Sequence, residues 1–173
     1  RAVEGMEALV RRGVHTDSEK NCACDVYSNV AAGYVNLHHY DDAIRTARRM
    51  VDGTASFDVT PKSAGFAWTV IANARRSQGD LQGALDAIRA ARQAAERPTK
   101  ADETKRMFDR YPLLLREAFI LGEDRGVSLD RPAEAAVLLR EAFEMHEAGV
   151  RRDPNDFTSR TRVGTTGREL GDI

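Results

Sequence analysis

The stretch WTVIANARRSQGDLQGALDAIRAA, residues 68–91, decides the fold of this 173-residue chain. Apolar residues recur along its first half with the spacing of an amphipathic helix, and Gly79 suits the left-handed residue that follows a helix. Asp80 then fits the cap of a second helix. Ala84 and Ala91 lie seven residues apart on that helix, so they share one face. The stretch predicts two helices that are joined by a tight turn and pack closely through alanines.

The same hairpin pattern recurs on both sides of this stretch. The matching segments are 37–47, 78–88 and the split pair 121–122 with 130–139, and a fourth begins at residue 153 and breaks off at residue 172. Ala43 and Ala84 are 41 residues apart, and Ala84 and Ala135 are 51 residues apart. An internal repeat of this kind predicts stacked helix pairs.

Periodicity and capping signals place the remaining helices. Thr16 and Glu19 form a capping box ahead of the first hairpin. Pro112 lies inside a helical pattern, and we expect it to kink that helix or to mark its true start. The predicted helices span residues 2–12, 16–37, 40–51, 60–78, 80–97, 101–121 and 130–150, and a last one opens at Asp153-Pro154. No segment alternates with period two, so the chain is predicted to be all-α with about eight helices.

The composition excludes several classes of protein. Hydrophobic residues make up 42% of the chain and charged residues 31%, with a net charge of −1, which is unlike the balance of a disordered chain. Near-neutrality also argues against sequence-blind nucleic-acid binding, so no nucleic-acid partner is expected. No apolar run is long enough to span a membrane.

The two ends of the chain lead to an expectation about its source. Residue 1 is Arg with no signal segment after it, and residues 168–173 resemble the middle of a helical hairpin. We therefore expect a fragment of a larger protein. Cys22 and Cys24 are too few for a disulfide scaffold and favour small packing residues in a reducing compartment. The chain is expected in the cytoplasm, although the parent protein could be anchored in a membrane.

The repeated hairpins resemble the tetratricopeptide (TPR) family, whose unit is a helix pair of about 34 residues. The residues in the family's register are Trp68, Ala72, Gly79, Ala84 and Ala91 in one repeat, Tyr27, Ala31, His38, Ala43 and Met50 in the repeat before it, Tyr111, Leu115, Gly122, Ala135 and Ala142 in the repeat after it, and Arg160, Gly164 and Gly171 in the last. Arg75 stands where the family prefers an aromatic residue. Longer repeats of this kind are similar to the TPR segments of bacterial regulators and of bacterial multidomain serine/threonine kinases.

The resemblance implies an α-solenoid of antiparallel helix pairs, a right-handed superhelix, which forms a single domain over residues 1–173. Its units are a half-repeat at 1–14, repeats at about 16–58, 60–98 and 99–152, and a truncated repeat at 153–173. In such a stack the first helix of each pair lines a concave groove. The groove residues that the resemblance implies are Asp25, Ser28, Phe66, Thr69, Asn73, Arg76, Arg116 and Phe119, with Ala32, Val35, Asp109 and Pro112 at equivalent positions.

These positions imply that a peptide or a partner helix binds in the groove. In peptide-binding TPRs, the asparagine at the position of Asn73 holds a backbone amide or a carboxylate of the ligand. Arg76 and Arg116 could pair with acidic groups, because the guanidinium fork matches a carboxylate. The chaperone-tail clamp needs lysine where this chain has Asp25 and Ser28, so a chaperone co-factor role is not expected.

No pattern of catalytic, cofactor-binding or metal-binding residues stands out in the sequence. Cys22 and Cys24 point apart on a helix, and the neighbouring His38 and His39 do not share a face. The segment 144–147 lacks the two histidines of a zinc-protease helix. We therefore expect no enzyme activity, no cofactor and no metal.

Three functions follow from these patterns. The leading prediction is a non-catalytic scaffold that binds a peptide or a partner helix. The second is a structural segment of a multidomain kinase or transcription regulator that self-associates, with a homodimer formed through exposed end helices. The third is an RNA-binding helical repeat, which the 22 arginines suggest and the neutral net charge disfavours.

Overall fold

The computed structural model describes residues 4, 5, 8, 12, 13, 16–52, 61–97, 103–123 and 126–173. In this part of the chain every regular element is an α-helix, so the predicted all-α class is confirmed for the described residues. The helices are α1 (Asp17–Asn36), α2 (Tyr40–Asp52), α3 (Pro61–Ser77), α4 (Leu81–Ala95), α5 (Glu103–Gly122), α6 (Pro132–Arg152) and α7 (Phe157–Asp172). The helix predicted over residues 2–12 lies mostly outside the described residues.

Capping side chains define the beginnings of α1 and α4 as the sequence predicts. The Thr16 hydroxyl accepts a hydrogen bond from the backbone N–H of Glu19, and the Glu19 carboxylate accepts one from the backbone N–H of Thr16. Asp80 accepts a hydrogen bond from the backbone N–H of Gly83 at 2.9 Å. Both carboxylates also lie near the positive end of a helix dipole, which adds to the stabilisation.

The turns between the paired helices contain one left-handed residue each. Gly79, between α3 and α4, has a φ of 82°, as predicted. His38, between α1 and α2, has a φ of 61° although it carries a side chain. Its imidazole Nδ1 lies 2.7 Å from the Tyr40 hydroxyl, a contact that offsets part of the cost of this conformation.

The described residues form two compact units, and each is considered by itself. In the first unit, residues 1–99, each helix from α1 to α4 packs on the next, and α1 also packs on α3. Its core is built mainly of alanine. The fully or almost fully buried alanines include Ala23, Ala31, Ala43, Ala47, Ala64, Ala67, Ala72, Ala74, Ala84, Ala87, Ala91 and Ala94. The short side chain lets neighbouring helices approach closely.

In the second unit, residues 100–173, α6 packs against both α5 and α7. Tyr111, Leu114 and Ala142 form the centre of its apolar core. An ion pair between Arg110 and Glu141 joins the outer faces of α5 and α6. This core also encloses several polar side chains, among them His146 and Ser159, whereas Thr46 is the buried polar side chain described in the first unit.

One prediction about a helix boundary in this unit is wrong. The last helix begins at Phe157 with Asp156 as its cap, and not at Asp153-Pro154, because Asp156 accepts hydrogen bonds from the backbone N–H groups of Thr158 and Ser159. Of the two alternatives predicted for Pro112, a kink or a helix start, the structure excludes the second, because α5 is continuous from Glu103 to Gly122.

Gly122 occupies the same repeat position as Gly79 for a different physical reason. It is the last residue of α5, and a Cβ atom there would lie 2.7 Å from the Cα atom of Pro132. The left-handed residue of this connection is instead Asp130, with a φ of 56°. Glycine at 122 is therefore required by the close approach of the backbone that begins α6.

We predict that Gly122→Ala destabilises the second unit by about 1–3 kcal/mol, because backbone atoms cannot yield as a flexible side chain would. Gly164→Ala in α7 is the matched control, since no atom lies within 4 Å of a Cβ built there. The control should be neutral or stabilise the chain by about 0.5–1 kcal/mol, because alanine favours the helix. Urea unfolding followed by circular dichroism measures both, and equal stability of the two variants would contradict the prediction.

Candidate functional site

The groove residues predicted in the first unit lie on α1 and α3. On α1, Asp25 is exposed, whereas Ser28 is half-buried with its Oγ 3.6 Å from the Met50 sulfur of α2. On α3, Phe66 is 43% exposed, and the half-buried Thr69 donates a hydrogen bond to the Gly65 carbonyl at 2.8 Å. Ser28 and Thr69 thus use hydrogen-bonding capacity inside the protein.

Asn73 and Arg76 are the other predicted groove residues of α3. Together with Phe66 and Thr69 they form what we call the stripe on α3. Asn73 is exposed, and its side chain makes no hydrogen bond to a described residue. Arg76 is half-buried. Because residues 66, 69, 73 and 76 follow helical spacing, they share one face of α3. The first unit therefore presents an aromatic ring, an amide and a guanidinium along one helix.

The remaining predicted groove residues belong to the second unit. Arg116 is exposed on α5 and donates a hydrogen bond to the Pro112 carbonyl at 3.2 Å, while Phe119 is half-buried. Asp109 is exposed. These residues share α5, so they form a separate stripe from the one on α3.

Arg75, near the end of α3, lies across the start of α4. Its guanidinium donates a hydrogen bond to the Gly83 carbonyl at 3.1 Å and lies 3.7 Å from the Asp80 carboxylate. The arginine thus stabilises the α3–α4 turn through polar contacts.

A shallow pocket of about 380 Å³ runs along the outer face of α2. Its described lining residues are Asp41, Ile44, Arg45, Arg48, Arg49 and Asp52. Arg45 is engaged by an ion pair with Asp42, and Asp41 accepts a hydrogen bond from Gln78 at 2.8 Å. Charges of both signs lie along this face of α2, so the pocket favours no ligand of one sign.

The histidines and cysteines weighed as metal candidates have other environments in the structure. His39 lies 3.6 Å from the Asp42 carboxylate and stacks on the Tyr34 ring. Cys22 is exposed and Cys24 is buried, which raises the pKa of the Cys24 thiol. Among the described residues, no group of three or more potential ligands is placed to hold a metal ion. None of the described helices has the length and hydropathy of a membrane span.

A buried polar cluster joins the helices of the second unit. We call it the His146 cluster: His146 of α6, Ser159 and Arg162 of α7, and the α7 cap Asp156. His146 and Ser159 are fully buried. The helices nearly touch here, since a Cβ on Gly149 of α6 would lie 2.7 Å from the Ser159 hydroxyl oxygen.

Hydrogen-bond directions in the His146 cluster follow from its chemistry. Arg162 can only donate, so the His146 Nε2 atom, 3.3 Å away, accepts. In the neutral ring the proton is then on Nδ1, which donates to the Ser159 hydroxyl at 3.3 Å. Ser159 in turn donates to the Asp156 carboxylate at 2.6 Å. Every partner is satisfied only when His146 is neutral.

Two aromatic rings of α5 complete the surroundings of Arg162. Its guanidinium carbon lies 4.5 Å from the Phe108 ring centre and 4.7 Å from that of Tyr111, which is cation–π geometry. The Tyr111 ring also meets the His146 ring edge to face at 4.5 Å. These contacts link α5 to α7 through side chains.

Burial, together with the smaller effect of the nearby Arg162 charge, lowers the pKa of His146 from 6.5 to about 4. Asp156 opposes this effect weakly. The stability that the neutral imidazole contributes is therefore present above pH 6.5 and is lost as the pH falls toward 4. The pKa of Asp156 is itself lowered, first by the Ser159 hydroxyl and then by the Ser159 backbone N–H.

The His146 cluster is not arranged for nucleophilic catalysis. In a catalytic triad the imidazole lies between the hydroxyl and the carboxylate, whereas here the Ser159 hydroxyl lies between His146 and Asp156. Ser159 is also fully buried, so no substrate carbonyl can reach it. The arrangement joins α6 to α7 and its cap.

One sequence signal for this cluster is the position of His146 on its helix. The buried residues of α6 are Ala135, Leu139, Ala142, His146 and Gly149. A titratable side chain thus stands on the helix stripe that packs against its neighbours. A zinc-protease motif describes only the spacing of the histidines and the glutamate. It therefore carries no information on the buried face of α6 to which His146 belongs.

The chain was compared with models of protein families and with curated proteins. No model of a protein family matches it, and no curated protein matches it either. The function therefore has to be inferred from the chain's own residues.

We predict that Arg162→Gln raises the pKa of His146 toward 6.5, because it removes a nearby positive charge while leaving a donor for Nε2. Titration of the histidine ring by NMR measures this pKa. The control is Arg168→Gln, which removes an exposed charge on the same helix and should leave the pKa unchanged. A His146 pKa that is the same in both variants would show that Arg162 does not act on the ring.

Proposed function

We propose that the chain is a TPR-like helical-repeat module that binds a peptide or a partner helix and performs no catalysis itself. In this proposal the helices form antiparallel pairs, stacked as a right-handed solenoid. The stripe on α3 provides the contacts in the first unit.

The burial pattern of the repeats supports this proposal. The small residues of the second helices, Ala43, Ala84 and Ala135, are all fully buried. Ala91 and Ala142, one heptad further along, are fully buried as well. Equivalent positions in three hairpins thus have the same environment, although the hairpins are 41 and 51 residues apart. A shared register is expected of repeated units that stack by the same contacts.

The exposed stripe on α3 is the observation that carries the binding proposal. This helix is buried by its neighbours along most of its surface, yet Phe66 remains 43% exposed and Asn73 remains without a hydrogen-bond partner among the described residues. An exposed ring beside an amide on a rigid helix matches the composition of binding surfaces, where aromatic anchors dominate the affinity. The neighbouring Arg76 adds a donor suited to a carboxylate.

The stripe indicates which features a ligand must have. The Asn73 amide can donate to a carbonyl and accept from an N–H group, so it is suited to the backbone of an extended peptide. Phe66 lies two helical turns before Asn73 on α3 and favours an apolar side chain of the ligand at that end of the stripe. An acidic group on the ligand would reach Arg76.

We expect a random peptide library, selected against the immobilised chain, to yield peptides that bind through this stripe. Asn73→Ala should weaken binding of the enriched peptide about 10-fold, because it removes two hydrogen bonds at the contact. Gln93→Ala is the matched control, since Gln93 is exposed on α4 away from the stripe. Fluorescence anisotropy of the labelled peptide measures both constants.

Two outcomes would overturn the proposal. One is that no peptide is enriched above the level found with the urea-unfolded chain. The other is that the enriched peptide binds Asn73→Ala, Phe66→Ala and wild type with equal affinity.

A further inference from the structure

We propose that the second unit contains an acid-sensitive latch, in which protonation of His146 releases α7 from α5 and α6. The proposal rests on the geometry of the His146 cluster and is independent of the binding proposal for α3.

Both ring nitrogens of His146 are already engaged in the docked state. Nε2 receives an N–H of Arg162 at 3.3 Å, so its lone pair is used. A second proton could only be added at this atom, because Nδ1 already carries the one donated to Ser159. The added N–H would face the Arg162 N–H, so a hydrogen bond would become a contact between two donors.

The charge balance of the site also disfavours a protonated ring. Among the described residues, the charged groups that act on His146 are Arg162 and Asp156, both from α7 and its cap. From α5, the side chain that faces the ring is Tyr111, which brings no carboxylate to the site. Protonation therefore places two cations side by side, with the single carboxylate of Asp156 already bound to the Ser159 hydroxyl.

Release of α7 relieves both of these conflicts. All the polar partners of His146 in the cluster belong to α7 or its cap, so movement of α7 lets water reach the imidazolium. A hydrogen bond between the Tyr111 hydroxyl and Thr166 at 3.1 Å joins α5 to α7 in the same region. Thr166 donates to the Arg162 carbonyl, so Tyr111 donates to Thr166, and this neutral bond carries no compensating charge.

The direction of the pH response follows from proton linkage. The docked state holds His146 with a pKa of about 4, and the released state returns it to about 6.5. Between these values the released state binds one more proton than the docked state. The equilibrium constant for release should then rise about 10-fold for each pH unit of acidification.

Native-state hydrogen exchange of the full chain, followed by NMR, tests the latch. The protection factor of the α7 amides, corrected for the intrinsic exchange rate at each pH, should fall about 10-fold per unit between about pH 6 and 4.5. The α3 amides of the first unit should change by less than about 2-fold over the same range. His146→Gln, which keeps an acceptor and a donor but cannot titrate, should show less than about 2-fold change per unit in α7.

His39→Gln is the matched control, because it removes an exposed histidine and should retain the wild-type dependence in α7. The proposal is overturned if wild-type α7 protection is constant over that pH range, a result that needs no variant. It is also overturned if α3 loses protection in parallel, or if His146→Gln keeps the wild-type slope, since carboxylates would then be responsible.

Discussion

The close approach of α3 and α4 is the constraint on which the first unit depends. A Cβ on Gly65 of α3 would lie 3.6 Å from the Ala91 carbonyl of α4, so the two backbones are almost in contact. Ala91 and Ala84, seven residues apart on the same face of α4, are fully buried. Small side chains allow this distance, and interior packing at crystal-like density leaves no room for larger ones. The turn at Gly79 is short because the helices it joins are so close.

In the second unit α6 and α7 also lie close together, but different side chains pack between them. Gly149 and Ser159 bring α6 and α7 together, but the space beside them is filled by His146, Arg162 and Tyr111 rather than by alanine. Buried polar groups are stabilising only when each has its partner. The two units are therefore expected to differ in their response to acid, although their helices follow the same register.

Local features of the sequence predicted much of the fold. The left-handed Gly79, the capping box of Thr16 and the buried face of Ala84 each depend on residues within a few positions, so the sequence shows them directly. The start of α7 was misplaced because Asp153 and Asp156 are both capable caps. In the structure Asp153 accepts a hydrogen bond from the backbone N–H of Asn155 in the preceding turn, and Asp156 accepts those of Thr158 and Ser159 at the helix start.

Long-range features could not be predicted in the same way. The reason for glycine at 122 lies in Pro132, which the turn of the chain brings beside it, and the partners of His146 come from another helix. The candidate stripe on α3 was predictable as one helix face from its spacing. The half-buried environment of Arg76 was not, because it depends on how neighbouring helices cover that face.

The most direct test of the α3–α4 constraint is the stability of Ala84→Leu, followed by Trp68 fluorescence during urea unfolding. Trp68, the single tryptophan, lies on α3 and reports on the first unit. If the seam requires small residues, Ala84→Leu should lose about 1–3 kcal/mol relative to Gln82→Leu, which adds an apolar side chain to the exposed face of the same helix. Equal stability of the two variants would contradict a seam that depends on alanine.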